Sequence, residues 1–265
     1  MLSPLYGQLS PLRIPTSIPF DEAALAYIAA VESADGAALE DGVKSAINSF
    51  FRGCKDDGIW SAISTSCILA GARTLSGALV PLVGTSPTNN NFVSADYNRK
   101  TGLISNGSTK RLASVNNNTL SQNSNHIYIR ITDEDTRTVS AGIMGTTHAQ
   151  SGCTALRRSG SSPLGFHSMS LSQASISGTN LVFRKGCGVV RSSSTQFQRF
   201  ENSTLLAASS VASQTPRNET IFVLATGTNY TTSRAAFFSI GQSIDLAKLD
   251  TRVANLITDI AAAIP

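Results

Sequence analysis

Residues 126–131 read His-Ile-Tyr-Ile-Arg-Ile, and this stretch decides the fold because every second residue is an isoleucine. A period of two places the three isoleucines on one face of a strand and the His, Tyr and Arg side chains on the other. Such a strand is typical of an antiparallel sheet that has one face on a hydrophobic core. The stretch therefore predicts a half-buried strand.

Shorter β-prone runs recur on both sides of this strand. They occupy residues 75–83, 138–144, 153–157, 168–171, 181–184, 221–225 and 235–240. Segments rich in Asn, Ser and Gly separate them, most clearly at 89–91, 116–118 and 159–163. Many short strands at this spacing predict a β-sandwich or jelly roll over residues 73–244, rather than alternating β-α-β units.

Helical periodicity marks residues 21–72. Asp21 is a cap residue, and apolar residues then recur every three or four positions. The two stripes consist of Leu25, Ile28 and Val31, and of Leu39, Val43, Ile47 and Phe50. We expect breaks at Asp35-Gly36 and Asp57-Gly58, which divide an N-terminal helical module.

A C-terminal helix is predicted over residues 245–265. Its apolar stripe is Leu246, Leu249, Val253, Leu256 and Ile260. The stripe fits packing on the sheet or on the N-terminal helices, and a short three-fold coiled-coil seam is the alternative.

Residues 1–20 form a proline-rich arm. Pro4, Pro11, Pro15 and Pro19 exclude a regular helix or a central strand. Apolar residues nevertheless recur along it, namely Leu2, Leu5, Tyr6, Leu9, Leu12 and Ile14. We expect the arm to dock, either on its own body or on a neighbouring subunit.

The charge is low and unevenly placed. Only 14% of the 265 residues are charged, and the net charge is +4. Residues 1–60 carry a net −4, residues 61–244 a net +9 and residues 245–265 a net −1. The bases of the central region never form a cluster of four, and no nucleic-acid-binding motif accompanies them, so we expect no nucleic-acid partner. A surface that adheres to acidic polysaccharide, or to an acidic protein, fits this pattern.

Membrane and secretion signals are absent from the sequence. No apolar run approaches the ~20 residues of a membrane span, and the first twenty residues do not resemble a signal peptide. We expect no membrane insertion.

No catalytic, cofactor or metal motif stands out. Phosphate-binding, dinucleotide-binding, zinc-protease and serine-hydrolase patterns are missing. The pairs Cys153/His167 and Cys187/His148 have no local support as nucleophile and base. The β region has few acids, so a carboxylate pair for glycoside hydrolysis is not evident.

Two polar features remain open. The acidic run 133–135 follows a strand. We interpret it as a solvated turn, and a calcium site is the alternative. Cys54, Cys67, Cys153 and Cys187 lack paired spacing, so buried free thiols are expected, with one disulfide as the alternative.

A set of short sequence motifs resembles those of a known family. The motifs are Gly-Cys-Lys-Asp-Asp-Gly-Ile-Trp at 53–60, Leu-Ala-Gly-Ala-Arg-Thr-Leu at 69–75, Gly-Ala-Leu-Val-Pro-Leu at 77–82, Asp-Tyr-Asn-Arg-Lys-Thr-Gly-Leu at 96–103, Gly-Ser-Thr-Lys at 107–110 and Phe-Phe-Ser-Ile-Gly-Gln-Ser-Ile-Asp-Leu at 237–246. Over about residues 21–260 the chain resembles proteins of tailed bacteriophages and prophages that contain a concanavalin A-like (laminin G-like) jelly-roll domain.

The resemblance implies a concanavalin A-like two-sheet β-sandwich preceded by helices, in a structural protein of the virion. It supplies no catalytic site and no cofactor. Asp96, Tyr97, Asn98 and Arg99 are interpreted as structural anchors first and as glycan contacts second. The expected partners are other virion proteins, further copies in a homotrimer and a host surface polysaccharide.

Two virion roles follow from the resemblance. The first is a tail or fibre component that adheres to host glycan, and the second is a capsid decoration or cement protein. A polysaccharide hydrolase is a third alternative, which requires an acid pair that the sequence does not show.

Overall fold

A computed structural model of the chain describes residues 19–137, 139–148, 150–159, 162–172, 174–175 and 185–265. The predicted strand at 181–184 lies outside the described residues. So does the docking arm as far as residue 18, with its apolar residues Leu2, Leu5, Tyr6, Leu9, Leu12 and Ile14.

Four α-helices are present among the described residues. They are α1 (Glu22–Asp35), α2 (Asp41–Asp56), α3 (Leu75–Ala78) and α4 (Leu246–Ala263). Asp21 caps α1, since its side chain accepts hydrogen bonds from the backbone N–H groups of Ala23 and Ala24. Gly36 ends the helix in the left-handed conformation, with φ of 66°. Both helix boundaries agree with the predicted ones.

Two β-sheets make up the body of the molecule. The described part of sheet A has eight strands, with the spatial order β13-β12-β11-β6-β17-β4-β3 and with β1 paired to β17. These strands are β1 (Ile63–Ile68), β3 (Tyr97–Asn98), β4 (Gly102–Ile104), β6 (Asn125–Asp133), β11 (Gly186–Arg191), β12 (Phe197–Glu201), β13 (Thr204–Ser209) and β17 (Arg234–Gly241).

Sheet B has nine strands among the described residues, with the order β10-β9-β8-β7-β14-β5-β2 and with β15 and β16 beside β7. They are β2 (Thr88–Asn90), β5 (Arg111–Asn116), β7 (Ala141–Gly145), β8 (Ala155–Ser159), β9 (Ser162–His167), β10 (Ala174–Ser175), β14 (Thr220–Val223), β15 (Ala225–Thr226) and β16 (Asn229–Tyr230). The two sheets form the predicted β-sandwich.

Strand β6 contributes to two hydrophobic cores. Its isoleucines Ile127, Ile129 and Ile131 belong to the cluster between the two sheets. Tyr128, on the opposite face, belongs to a second cluster with the helices. The alternation is confirmed, but the strand is buried on both faces because α2 and α4 cover the outer face of sheet A.

The apolar stripe of α4 is buried within the chain. Leu246, Leu249, Val253, Leu256 and Ile260 all join the second core, together with residues of α1 and α2. These side chains are therefore not available for a seam between copies.

Several local predictions are wrong. Residues 75–83 begin with helix α3 because the Thr74 hydroxyl caps the Gly77 N–H. Residues 168–171 form bends, since Met169 has a φ of 48° that interrupts a strand. Asn89 and Asn90, predicted in a turn, pair with β5. Leu25 is 50% exposed on the outer side of α1. In addition, β1 begins at Ile63, inside the segment that the sequence assigns to the helical module.

Candidate functional site

A polar groove opens where the end of β6, the start of β11, the β12–β13 turn and helix α4 meet. Its volume is about 600 Å³, and its lining residues are Arg130, Glu134, Lys185, Asn202 and Asp250. A smaller hollow of about 320 Å³ adjoins it and shares Glu134 and Lys185. The volume of each hollow lies within the range of ordinary small-ligand sites, which is roughly 300–1,000 Å³.

The Asp250 carboxylate forms the floor of the groove. It is 4% exposed, and its Oδ1 atom accepts hydrogen bonds from the Tyr128 hydroxyl (2.5 Å) and from Arg130 Nη1 (3.2 Å). Its Oδ2 atom accepts from the Ser203 hydroxyl (2.8 Å). Burying a carboxylate costs free energy unless such donors compensate. Both oxygens are thus engaged in joining α4 to sheet A.

Gly186 permits this close approach of helix and sheet. A Cβ atom at this position would overlap the Asp250 carboxylate and would lie 2.7 Å from the Tyr128 hydroxyl oxygen. A side chain of any size therefore cannot be accommodated without moving the floor of the groove.

Left-handed backbone conformations concentrate around the groove. Lys185, Asn202 and Ser203 have φ values of 49°, 47° and 59°. Non-glycine residues adopt this region at a cost, and such strain is often found at functional sites. Here it is held by neighbouring contacts, because the Asn202 N–H donates to the Gly186 carbonyl (2.9 Å) and Asn202 Oδ1 accepts from the Gly186 N–H (3.4 Å). These two hydrogen bonds join the Asn202 turn to Gly186 at the rim of the groove.

The predicted site residues Asp96 and Asn98 lie elsewhere and organise a turn. Asp96 forms an ion pair with Lys110 (2.6 Å). Asn98 Oδ1 accepts hydrogen bonds from the backbone N–H groups of Lys100 and Thr101. Both side chains hold the edge strands of sheet A in place.

Tyr97 and Arg99 attach that same edge to the helical module. The Tyr97 hydroxyl donates to the Ala72 carbonyl (2.7 Å). The Arg99 guanidinium binds both carboxylate oxygens of Glu40, at 3.0 and 2.6 Å, and its hydrogen bond lowers the pKa of that carboxyl. The structure places the four motif residues in structural contacts and brings none of them to the groove.

The acids at 133–135 diverge. Asp133 is exposed at the end of β6, and Glu134 lines the groove. Asp135 is 3% exposed and forms an ion pair with Arg137 (2.6 Å). Burial raises the pKa of Asp135, but hydrogen bonds from Arg137 and Thr232 outweigh it and lower the pKa overall. Within the described ranges, no group of three or more His, Cys, Asp or Glu side chains is placed to hold a metal ion.

The cysteines and histidines considered for nucleophilic catalysis are not paired with each other. Cys153 Sγ and His167 Nδ1 both contact the Ser170 carbonyl oxygen, at 3.1 and 3.3 Å. Cys187 is buried on β11, and burial raises the pKa of its thiol to about 12. His148, near β7, contacts Asn229 instead. All four cysteines are buried thiols that form no disulfide, as predicted.

Comparisons with known proteins identify the fold. No protein-family model matches the chain, and no curated protein matches its sequence. Among solved structures, a sialidase of Trypanosoma rangeli is similar with a TM-score of 0.52 and 8% identity, over 82% of this chain and 39% of the sialidase chain. The binding domain of botulinum neurotoxin serotype D gives a TM-score of 0.50 and 13% identity, over 73% of this chain and 51% of that one.

This chain thus spans about two fifths of the sialidase and half of the neurotoxin domain. At these identities the likeness concerns the fold alone. The protein is a two-sheet β-sandwich with N-terminal helices and a C-terminal helix, and its fold is similar to the folds of these two proteins. In the part of the chain that the structure describes, no helix is both long and apolar enough to span a membrane.

Proposed function

We propose that the protein is a lectin-like structural component of a bacteriophage virion, which adheres to a host surface glycan through the groove of Arg130, Lys185, Asn202 and Asp250. The observation that carries the glycan-binding part is the preformed groove, in which a buried carboxylate fixes the arginine and the turn that line it. A preformed site loses little conformational freedom on binding.

The chemistry of the lining suits a sugar. Guanidinium, ammonium, amide and carboxylate groups are the side chains that hydrogen-bond to many closely spaced polar groups of a ligand. The similarity of the fold to a sialidase and to a neurotoxin binding domain agrees with sugar binding. The proposal rests on the groove, because a fold alone does not define a function.

We also propose that the protein is not an enzyme. A glycosidase of the usual kind needs one carboxylic acid to donate a proton and a second carboxylate to act as base or nucleophile. Two carboxylates line this groove: Asp250 accepts hydrogen bonds from Tyr128, Arg130 and Ser203, and Glu134 has an interaction of its own. Turnover of a host polysaccharide by the purified protein would overturn this part of the proposal and favour the hydrolase alternative.

The virion role rests on the sequence resemblance. In this proposal the N-terminal arm docks onto other virion proteins, and the sandwich is available for the host surface. The capsid decoration or cement role is the second candidate. Labelling the protein in purified particles tests both, because tail labelling supports adhesion, head labelling supports decoration, and the absence of label contradicts a virion protein.

We also propose that the chain associates with two further copies of itself to form a homotrimer. Strand β13, which is at the edge of sheet A among the described strands, exposes Leu205 (47%) and Leu206 (43%), and no charged residue occurs from 202 to 216. Exposed uncharged edge strands favour association. Light scattering on the purified chain tests this, since we expect a trimer that Leu206→Lys converts to monomer, and a wild-type monomer would contradict it.

The glycan-binding proposal is tested with a matched pair of variants. Asn202→Gly removes a lining side chain while keeping a residue that tolerates a positive φ. Asn91→Gly makes the same change at another left-handed asparagine, whose φ is 70° and which does not line the groove. We expect Asn202→Gly to weaken binding to host surface polysaccharide and Asn91→Gly to leave it unchanged. Wild-type protein that binds no such polysaccharide would contradict the proposal.

A further inference from the structure

We infer that the groove binds a carboxylate-bearing sugar, such as a uronic acid unit of an acidic polysaccharide. This inference rests on the proposed glycan-binding function and adds the chemical class of the ligand. Some hydrogen-bonding groups of the groove are already used in contacts within the protein, and others remain for a ligand.

Arg130 has unused donors. Its Nη1 atom binds Asp250, and a hydrogen bond with Tyr128 also involves the guanidinium. A guanidinium has five N–H donors in a planar fork that matches a carboxylate. The contact with Asp250 therefore orients Arg130 and leaves most of its donors for a ligand.

Lys185 supplies a second cation. It lies on the groove wall and is exposed, and it forms no ion pair with any described residue. Its left-handed backbone directly precedes Gly186, the residue that contacts the floor of the groove. An ammonium group held beside a guanidinium attracts a negative charge.

Asn202 adds a neutral donor. Its Oδ1 atom is turned towards the Gly186 N–H, so the amide NH₂ group is the part that remains for a ligand. Three kinds of donor, from three different segments of the chain, thus line one groove.

The carboxylate groups of the groove, in contrast, already interact with other parts of the protein. Both Asp250 oxygens accept hydrogen bonds from protein groups, and Glu134 has an interaction of its own. A ligand rich in acceptors is favoured by this imbalance, and a carboxylate offers two acceptor oxygens and a negative charge. The net +9 of residues 61–244 would attract an acidic polymer to the sandwich as a whole.

The experiment compares acidic polysaccharides with their own carboxyl-reduced forms. Alginate, polygalacturonate and hyaluronate are immobilised, each beside the same polymer after its carboxyl groups have been reduced to alcohols, with two neutral glucans added. Binding of the purified chain is measured at two salt concentrations. We expect at least one acidic polymer to bind, and its reduced form to bind at least tenfold more weakly.

Two variants assign that binding to the groove. Asn202→Asp keeps the left-handed tolerance and the acceptor towards Gly186, but it replaces the donor with a negative charge. Lys185→Gln removes the free ammonium. Each should weaken binding to the acidic polymer at least tenfold, whereas Lys100→Gln, an equal charge change in the β3–β4 turn outside the groove, should change it less than twofold.

The outcomes separate the two proposals. Equal binding to an acidic polymer and to its reduced form, or binding to the neutral glucans alone, would overturn the carboxylate inference and leave glycan binding in place. Loss of binding in Lys100→Gln equal to that in Lys185→Gln would also overturn it, because the attraction would then be a general charge effect. Binding to no polymer would contradict both proposals.

Discussion

The hydroxyl of Tyr128 lies 2.5 Å from Oδ1 of Asp250 and donates a hydrogen bond to it across 122 residues of sequence. Tyr128 is on the central strand β6 and Asp250 is on the C-terminal helix α4, so this contact ties the sandwich to the helix that covers it. The same carboxylate orients Arg130. Stability and the shape of the groove therefore depend on one buried interaction.

Tyr128→Phe tests this dependence. Removing the hydroxyl deletes a hydrogen bond to a buried charged group, which costs about 2 kcal/mol. We expect the free energy of unfolding in urea to fall by this amount, and glycan binding to weaken because Asp250, which orients Arg130, is then held by one hydrogen bond fewer. Tyr97→Phe removes a hydroxyl that donates to a carbonyl away from the groove, and should cost about 1 kcal/mol without affecting binding. Equal binding by both variants would contradict the proposed role of Tyr128.

Gly186→Ala tests the close approach of helix and sheet. Because the new methyl group would overlap the Asp250 carboxylate, we expect a loss of about 3 kcal/mol in the free energy of unfolding, or a failure to fold. Gly188→Ala, two residues along the same strand, is the matched control. Its Cβ atom would lie 3.0 Å from Leu246 Cδ1, the end of a side chain that can shift, and 3.1 Å from the Ile127 carbonyl oxygen, so we expect a smaller loss than at Gly186. Thermal denaturation measures both variants. A lower denaturation temperature for Gly188→Ala than for Gly186→Ala would contradict the close packing of α4 on the sheet at Gly186.

Arg99→Lys separates the two interpretations of the 96–99 motif. A lysine retains the charge but loses the two-point contact with Glu40. If Arg99 is a structural anchor, the free energy of unfolding falls by about 1 kcal/mol and glycan affinity stays the same. A variant of unchanged stability that binds glycan more weakly would instead make Arg99 a glycan contact.

The buried histidines predict an acid-sensitive fold. His126 lies between the Gln242 carbonyl and the Ser239 hydroxyl, and burial lowers its pKa to about 4. Burial also lowers the pKa of His167 to about 4. The unfolded chain, with histidine pKa values near 6.5, binds these protons more readily, so stability is complete above pH 6.5 and is lost as the pH falls towards 4.

Each histidine contributes at most about 3 kcal/mol over that interval. Urea denaturation at pH 7.0, 5.5 and 4.5 measures the effect, and His126→Gln should show a shallower decline with pH than the wild type. A free energy of unfolding that is constant from pH 7.0 to 4.5 would contradict the burial of these rings.

Much of the fold follows from local sequence patterns. The alternation in residues 126–131, the cap at Asp21 and the apolar stripe of α4 each depend on neighbouring residues, and each is found in the structure. The mistakes occur where tertiary contacts or caps override local preference. Helix α3 forms because Asp35, almost forty residues earlier, accepts hydrogen bonds from Thr74, whose hydroxyl caps the helix.

The groove was harder to predict for the same reason. Tyr128 and Arg130 share a strand face in the sequence pattern, but Asp250, Asn202 and Lys185 reach them only through the packing of α4 and two turns. The 96–99 motif is conspicuous in the sequence because it combines an asparagine-stabilised turn with an ion pair across 59 residues, and such structural motifs are as recognisable as binding sites.

Hydrogen–deuterium exchange with and without a bound polysaccharide tests the central claim most directly. The polysaccharide is the acidic polymer that binds best, or host surface polysaccharide. We predict slower exchange in three segments that meet at the groove, around residues 128–134, 185–188 and 200–206, and little change in the turn at 96–101. Protection confined to 96–101, or to strands of sheet B away from the groove, would contradict glycan binding at this site.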